Sequence, residues 1–213
     1  MLDLVASRTC LGCAASTAGA PLCPDCAPEA EGRLRPIPTR RTLFASAWSI
    51  GDYAGPVGAL VRHCKFGHDM RAAEVLEASL GRALEAGLPA TVSTVVAVPT
   101  TPWRLLWRGF HLPERLAAVV SARLGAPVAA SLRRRWSLAQ AGRSFEARVD
   151  AGSRLFEARG AVAGHVLLVD DVLTSGASLH GAAAELLAAG ATSVSCLVLA
   201  AAGPLRRVPV GIL

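Results

Sequence analysis

The chain has 213 residues, of which 52% are hydrophobic, and its 22 basic and 16 acidic residues give a net charge of +6. This length and composition predict a globular protein with one main domain and a small appendage, and the excess of basic residues is compatible with a polyanionic ligand or partner. No stretch reaches the roughly 18 uninterrupted apolar residues of a membrane span, and no secretory signal pattern is present. We therefore expect a cytoplasmic protein with reduced cysteines and no membrane span.

Two C-x-x-C pairs stand near the N-terminus, Cys10 with Cys13 and Cys23 with Cys26. This spacing is typical of a closed tetrahedral zinc site, because each pair supplies two thiolates and no position remains for a water. We expect residues 1–30 to be a zinc ribbon whose metal is structural and supplies its folding energy. Two redox-active pairs or a disulfide are the alternatives, but no strand precedes the pairs as in a thioredoxin-like unit, and a reducing compartment disfavours bridges.

Residues 31–42 are rich in arginine and proline, which predicts an extended linker to a main domain at residues 43–213. In that domain strand-like and helical patterns alternate, and this alternation predicts an α/β fold with a parallel sheet flanked by helices. The predicted strands cover 43–50, 94–98, a short run at 126–130, a run that begins at His165, and 193–199. The predicted helices cover 56–65, 70–86, 112–124, 143–156 and 179–189, and residues 132–143 are polar and basic with no clear periodicity.

The apolar run from His165 leads into Asp170 and Asp171 and then into the hydroxyl-rich loop 174–178. Consecutive branched apolar residues predict a strand that is buried on both faces, and ligands of such sheets bind where the strands end. A loop of Ser, Thr and Gly before a helix suits a phosphate, whereas paired carboxylates suit sugar hydroxyls or a hydrated Mg²⁺. A Walker B strand is the alternative, but the chain contains no P-loop motif.

The run Val169-Asp170-Asp171-Val172-Leu173-Thr174-Ser175-Gly176-Ala177-Ser178 resembles the signature of type I phosphoribosyltransferases that binds 5-phosphoribosyl-1-pyrophosphate (PRPP). In that family the acidic pair engages the ribose hydroxyls and the loop wraps the 5-phosphate, with Mg²⁺ beside the ligand. The resemblance implies a catalytic role for Asp170 and Asp171. It implies PRPP binding by the seven residues that follow, namely Val172, Leu173, Thr174, Ser175, Gly176, Ala177 and Ser178.

Nearly the whole chain is similar to the ComF family of phosphoribosyltransferase-like proteins, which are involved in natural competence. The shared features are the four-cysteine ribbon, Lys65-Phe66-Gly67, Val98-Pro99, Arg108-Gly109-Phe110, a basic segment with Gln140, Gly142 and Arg148, and the PRPP loop. The chain departs from the family pattern at His111-Leu112, where Asn-Gln is usual, and at Ala151, where Asn is usual. Ser178 replaces a commoner Thr. These departures affect the expected contacts to an acceptor base more than those to phosphate.

The resemblance extends the PRPP site to Pro99 and Thr100 and to the loop of Arg104 and Arg108, whose guanidinium forks suit pyrophosphate. A solvated basic loop is the alternative interpretation. Lys65 is the only lysine in an arginine-rich chain. This indicates a need for a compact ammonium group at the PRPP site, although a surface position that tolerates either cation would also explain it.

Two functions follow from these features. The first is Mg²⁺-dependent transfer of phosphoribosyl from PRPP to a nitrogen acceptor. The second, implied by the ComF resemblance, is a non-catalytic role in DNA uptake through binding of single-stranded DNA and a helicase partner. The run Arg133-Arg134-Arg135 fits either function, since it resembles the flexible loop that closes over such active sites and would also serve as a polyanion contact. The histidines His63, His68 and His111 have no partner that the sequence reveals.

Overall fold

The structure is a computed structural model that describes residues 8–40, 42–88, 90–101, 105–107, 109–135 and 155–204. Strands and helices alternate along most of this part of the chain, as the sequence predicted. The strands are β1 (Arg8–Thr9), β2 (Ser16–Thr17), β3 (Arg35–Pro36), β4 (Ala47–Asp52), β5 (Thr94–Ala97), β6 (Leu132–Arg134), β7 (Phe156–Ala158), β8 (His165–Leu173) and β9 (Ser193–Ala201). The helices are α1 (Ala27–Ala30), α2 (Pro56–Phe66), α3 (Met70–Ala83), α4 (Leu112–Leu124) and α5 (Ala177–Ala188).

The main sheet has five strands in the order β3-β4-β9-β8-β5. Strands β4, β9, β8 and β5 run parallel, and β3 joins one edge antiparallel to β4. Helices cover both faces, because Leu167 and Val169 of β8 pack in one apolar cluster with α2, α3 and α4, whereas Val166 and Leu168 pack in a second one with α5. This arrangement confirms the predicted parallel sheet flanked by helices, with the antiparallel β3 as an addition. Among the described residues, no helix has the length and apolar character needed to span a membrane.

Strand β8 extends further than the sequence indicated, and Asp170 and Asp171 lie inside it rather than after it. The extension is stabilised by pairing with β9, which continues as far as Leu173 opposite Ala201. The predicted strand at 126–130 was wrong in extent, since only Val128 forms a single bridge, to Val95.

Two other segments differ from their predicted structure. The three arginines at 133–135 do not form a flexible loop, because residues 132–134 are strand β6, which pairs antiparallel with β7. Phe156 begins β7 and does not end a helix, while residues 136–154 lie outside the described part. Short strands form here because Leu132 and Phe156 are buried in the core and fix the pairing despite the polar residues between them.

The cysteine-containing segment begins with the β1–β2 hairpin and packs against the main domain. Leu11, Cys26 and Ala30 belong to the same apolar cluster as Leu60 of α2, and the Ser79 hydroxyl of α3 donates to the Ala30 carbonyl. The expected extended linker contributes β3 to the sheet. The apolar cluster is therefore continuous from the cysteine-containing segment to helices α2 and α3.

Helix α2 approaches the end of β4 very closely, and glycine permits this approach. A Cβ on Gly58 would lie 1.9 Å from the Tyr53 carbonyl oxygen, and one on Gly51 would lie 2.5 Å from a methyl group of Val57. Arg62 of the same helix donates to the Tyr53 carbonyl at 2.8 Å. These contacts hold the first two turns of α2 beside the carboxyl end of β4.

Candidate functional site

A cleft of about 290 Å³ lies at the carboxyl ends of β4, β5 and β8, where a ligand site was predicted. Leu173 does not line it, because its side chain is buried in the core. Arg104 and Arg108 lie outside the described residues. The other residues predicted to form the PRPP site all line the cleft, namely Lys65, Pro99, Thr100, Asp170, Asp171, Val172, Thr174, Ser175, Gly176, Ala177 and Ser178.

The two aspartates share one end of the cleft and have different partners. Asp171 is 7% exposed, and its Oδ1 is 2.7 Å from Nζ of Lys65. Asp170 accepts a hydrogen bond from the backbone N–H of Asp171 at 2.8 Å. Burial raises the pKa of Asp170 to about 8, and the neighbouring Asp171 carboxylate adds to this effect, while Lys65 and Arg134 offset part of it. The pair is thus short of positive charge, which fits a carboxylate site that receives hydroxyl donors or a hydrated Mg²⁺ with its ligand.

The raised pKa of Asp170 gives a testable dependence of stability on pH. Below about pH 4 the carboxyl is protonated in both the folded and the unfolded state, whereas between about 4 and 8 only the unfolded state ionises readily, so folding loses stability as the pH rises. We expect Asp170→Asn to melt close to the wild type at pH 4 and at least about 2 °C above it at pH 8, in buffer without magnesium. A difference in melting temperature that stays constant from pH 4 to 8 would contradict this interpretation.

The hydroxyl-rich loop leads directly into α5 and has the geometry of an anion site. Gly176 has φ +77°, a left-handed conformation that glycine adopts without strain, and it precedes the first helical residue, Ala177. The Ala177 N–H lies 3.5 Å from the Ser175 hydroxyl oxygen. The first N–H groups of a helix have no partner within it, so this end of α5 presents donors to an anion in the cleft.

The cleft also contains Tyr53, Pro113 and Leu179, which the sequence analysis did not single out, together with His111, for which the sequence revealed no partner, and Arg134, which was expected in a flexible loop over the site. His111 immediately precedes α4 and is 8% exposed, and its Nδ1 lies 3.1 Å from a carboxylate oxygen of Glu114. The sequence signal that could have revealed this pair is a glutamate three residues after a histidine at the start of a predicted helix. A carboxylate on Nδ1 leaves Nε2 as the proton acceptor of the neutral ring.

Strand alternation separates the three consecutive arginines. Arg133 and Arg135 both contact Glu157, at 2.7 and 3.3 Å, whereas Arg134 lines the cleft with its guanidinium 5.4 Å from the Phe156 ring centre. Side chains of successive strand residues point to opposite faces, so only the middle arginine of the run reaches the cleft. Because the sequence did not indicate a strand here, Arg134 could not be distinguished from Arg133 and Arg135.

The four N-terminal cysteines come together in one cluster. The Sγ atoms of Cys10, Cys13, Cys23 and Cys26 all lie within 4.8 Å of one another, and those of Cys13 and Cys23 are 3.7 Å apart. A tetrahedron of Zn–S bonds of about 2.3 Å has edges of about 3.8 Å. This separation is far above the length of a disulfide bond, and all four cysteines are free. They are therefore close enough to bind a metal such as zinc.

Local hydrogen bonds favour the thiolate form at one of these positions. The backbone N–H groups of Gly12 and Cys23 donate to Sγ of Cys10 at 3.3 and 3.2 Å. Burial raises the pKa of the Cys10 thiol, but the N–H donors outweigh burial and lower it to about 6. A sulfur that accepts backbone N–H bonds is suited to metal binding, since the thiolate is the form that ligates a metal.

Residues 113–210 match the family model of the phosphoribosyl transferase domain. The matched stretch includes most of α4, the aspartate pair on β8, the loop 174–178 and β9, so much of the cleft lies within the stretch that is similar to this domain. No curated protein matches the chain. The match supports a phosphoribosyl ligand such as PRPP. Several features precede the matched stretch, namely Lys65, Pro99, Thr100 and the cysteine cluster. Their assignment to a site rests on the geometry alone.

Proposed function

We propose that the cleft binds PRPP with Mg²⁺ and transfers its 5-phosphoribosyl group to a nitrogen acceptor, releasing pyrophosphate. The observation that carries this proposal is the position of the acidic pair and the phosphate-type loop along one cleft, inside the stretch that matches the phosphoribosyl transferase domain. Donors for a phosphate and acceptors for a sugar then stand side by side, as a phosphoribosyl group requires.

Different residues of the cleft contact different parts of the ligand in this proposal. The loop from Thr174 to Ser178 holds the 5-phosphate through hydroxyls and the N–H groups at the start of α5. Asp170 and Asp171 accept hydrogen bonds from the ribose hydroxyls, and this orients the ring. Mg²⁺, when bound with PRPP, supplies positive charge to the pyrophosphate.

The cationic residues serve the leaving group. As the bond from C1′ to the pyrophosphate oxygen breaks, negative charge grows on pyrophosphate and positive charge on the ribose ring. Lys65 lines the cleft with its ammonium against Asp171, and Arg134 lines the same cleft. Arg104 and Arg108 follow Pro99 and Thr100 in sequence, and we assign them to the same task.

Attack by a nitrogen acceptor forms the N–C1′ bond, and the acceptor nitrogen then loses its proton. His111 lines the cleft, and its pairing with Glu114 leaves Nε2 able to take that proton. The ComF family usually has Asn where this chain has His111, so the acceptor side of the cleft is chemically distinct here.

Replacing single arginines on β6 gives a matched test of the cleft. We expect Arg134→Ala to weaken binding of Mg²⁺-PRPP about tenfold, since about 1.5 kcal/mol of a charge-assisted hydrogen bond is lost. Arg133→Ala on the same strand should change the Kd less than about twofold, because it removes only an exposed ion pair with Glu157. Calorimetric titration measures both, and equal losses in the two variants would remove Arg134 from the site.

Transfer itself is tested by pyrophosphate release from PRPP and Mg²⁺ in the presence of a panel of purine, pyrimidine and pyridine bases. We expect release that requires one of these bases and yields its ribonucleotide. Binding of PRPP without release, with every base, would refute the transferase and leave only a PRPP-binding protein.

We infer that the metal of the cysteine cluster is zinc and that its role is structural. Four sulfur ligands leave no position for a reacting water, and three of the four cysteines are buried beside Leu11 and Leu22. A cytoplasmic location, which keeps the thiols reduced, is consistent with this site.

The second candidate is a ComF-like role in DNA uptake, with single-stranded DNA and a helicase as partners. The observation in its favour is a group of exposed rings, since Trp107 is 56% and Phe66 65% exposed, and the Trp107 ring meets His68 at 5.0 Å. Exposed rings provide stacking surfaces for unpaired bases. The arginines at 133–135 favour it less, because Arg133 and Arg135 are both paired with Glu157.

Competition separates the two candidates. If single-stranded oligonucleotides bind at the cleft, Mg²⁺-PRPP displaces them, whereas a separate surface binds them independently of PRPP. Replacing Arg133, Arg134 and Arg135 by alanine should lower the log-log salt slope by roughly 2 if all three contact phosphates. If only Arg134 does, the decrease should be about 0.7.

A further inference from the structure

The carbonyl of Gly176 is held by a single residue through two hydrogen bonds. His180 lies in the first turn of α5, and both its backbone N–H and its ring Nδ1 lie 2.9 Å from the Gly176 oxygen. His180 is 1% exposed, and its ring packs edge-on against Phe44 with the ring centres 5.2 Å apart. The residue therefore lies beneath the phosphate-type loop and does not contact the cleft.

The hydrogen bond fixes the protonation of the ring. A carbonyl oxygen only accepts, so Nδ1 carries the hydrogen, and burial lowers the pKa of His180, which keeps the ring neutral. Nε2 then has a lone pair, and it is buried without a hydrogen-bond partner in the described part of the chain. Such a group costs stability, and a leucine would fill the same apolar surroundings without that cost. Packing alone does not explain a histidine here.

The geometry of the peptide unit explains it. The Gly176 carbonyl and the Ala177 N–H belong to one peptide plane, and in a trans peptide they point in opposite directions. Holding the carbonyl toward α5 turns the Ala177 N–H away from the helix, toward the loop hydroxyl of Ser175. The backbone N–H of His180 supplies the ordinary i→i−4 bond of α5 to this carbonyl, as any residue at position 180 would, and the ring Nδ1–H adds a second donor that restrains the peptide further. The second restraint matters because Gly176 is left-handed and has no Cβ to restrict its backbone.

We propose that His180 is a positioning residue that fixes the Gly176 carbonyl and so directs the Ala177 N–H at the 5-phosphate of a bound phosphoribosyl ligand. This inference rests on the proposed function for the identity of the ligand. A buried histidine would then increase the affinity for the ligand, while its unpaired Nε2 lowers the stability of the folded protein.

Two substitutions separate positioning from packing. His180→Leu removes the ring donor and the unpaired nitrogen, so it should melt at or above the wild-type temperature but bind ribose 5-phosphate about tenfold more weakly. His180→Asn places an amide donor near the position of Nδ1 and should keep the affinity within about threefold of the wild type. Calorimetry with ribose 5-phosphate and thermal melting measure both. Wild-type affinity in His180→Leu would overturn the proposal, as would an equal loss in His180→Asn.

A measurement without ligand keeps this proposal distinct from the proposed function. In ¹⁵N relaxation measurements, which do not depend on the ring current that both variants lose, His180→Leu should lower the order parameters of the Ser175 to Ser178 amides, and His180→Asn should leave them near the wild-type values. Unchanged order parameters in His180→Leu would overturn the positioning role even if the wild type binds ribose 5-phosphate. Lowered order parameters in a protein that binds no phosphoribosyl ligand would support the positioning and refute the proposed function. Should His180→Leu fail to fold, His180→Gln, whose longer amide misses the Nδ1 position, replaces it with the same expected loss.

Discussion

Replacing Asp170 and Asp171 together by asparagine is expected to weaken Mg²⁺-PRPP binding by at least about 100-fold. Each carboxylate accepts a hydrogen bond from a ribose hydroxyl in our account, and a hydrogen bond to a charged group contributes about 1.5–3 kcal/mol. Asparagine keeps the shape of the side chain and removes the charge, so the loss reports on the carboxylates themselves. Calorimetric titration of the double variant with Mg²⁺-PRPP measures it.

The fold should survive this double substitution, because two effects on stability oppose each other. Asp170→Asn removes a carboxyl whose ionisation is disfavoured by burial, whereas Asp171→Asn leaves Lys65 without its partner at 2.7 Å. Glu85→Gln is the matched control, since Glu85 is 61% exposed, pairs with Arg123 at 3.8 Å and does not line the cleft. PRPP affinity that falls equally in the control, or that is unchanged in the double variant, contradicts the assignment of the acidic pair.

Cys23→Ser is expected to remove the bound zinc and to lower the melting temperature by at least about 10 °C. Structural zinc sites contribute on the order of 10 kcal/mol to the folding of the segment that they close, and this segment packs against α2 and α3. Zinc content should fall from one ion per chain to nearly none, as measured by metal analysis of the purified protein.

Cys64 provides the matched control for this experiment. It is also buried, at 1% exposure, but it lies on α2 outside the cluster, so Cys64→Ala should keep one zinc per chain. A Cys23→Ser protein with full zinc content and an unchanged melting temperature would exclude this ligand set.

The features that the sequence predicted well are local in the chain. Helix α4 has the bounds that were predicted, Leu112–Leu124, because its apolar spacing, Pro113 and the terminal Gly125 all lie within one segment. The aspartates and the loop that follows them are likewise consecutive, so their common position at a strand end follows from one motif. The cysteine pairs are short-range too, and the structure brings all four sulfurs together.

The features that the sequence could not reveal depend on partners distant in the chain. β3 forms because Arg35 and Pro36 pair with residues of β4. β6 forms because it pairs with β7, and the two buried residues that fix this pairing, Leu132 and Phe156, are more than 20 residues apart in the sequence. The orientation of Arg134 into the cleft follows from that pairing. His180 lies in an alanine-rich helical pattern in which nothing indicates that its ring bonds to the Gly176 carbonyl.

The most direct test of the proposed function is calorimetric titration of the zinc-loaded wild-type protein with PRPP, in parallel with and without Mg²⁺. Our account predicts one PRPP bound per chain, tighter with Mg²⁺ than without it, and displaced by ribose 5-phosphate, which shares the phosphate and ribose contacts. Absence of binding at millimolar PRPP in Mg²⁺, by a protein that carries its zinc and melts cooperatively, would contradict the assignment of the cleft.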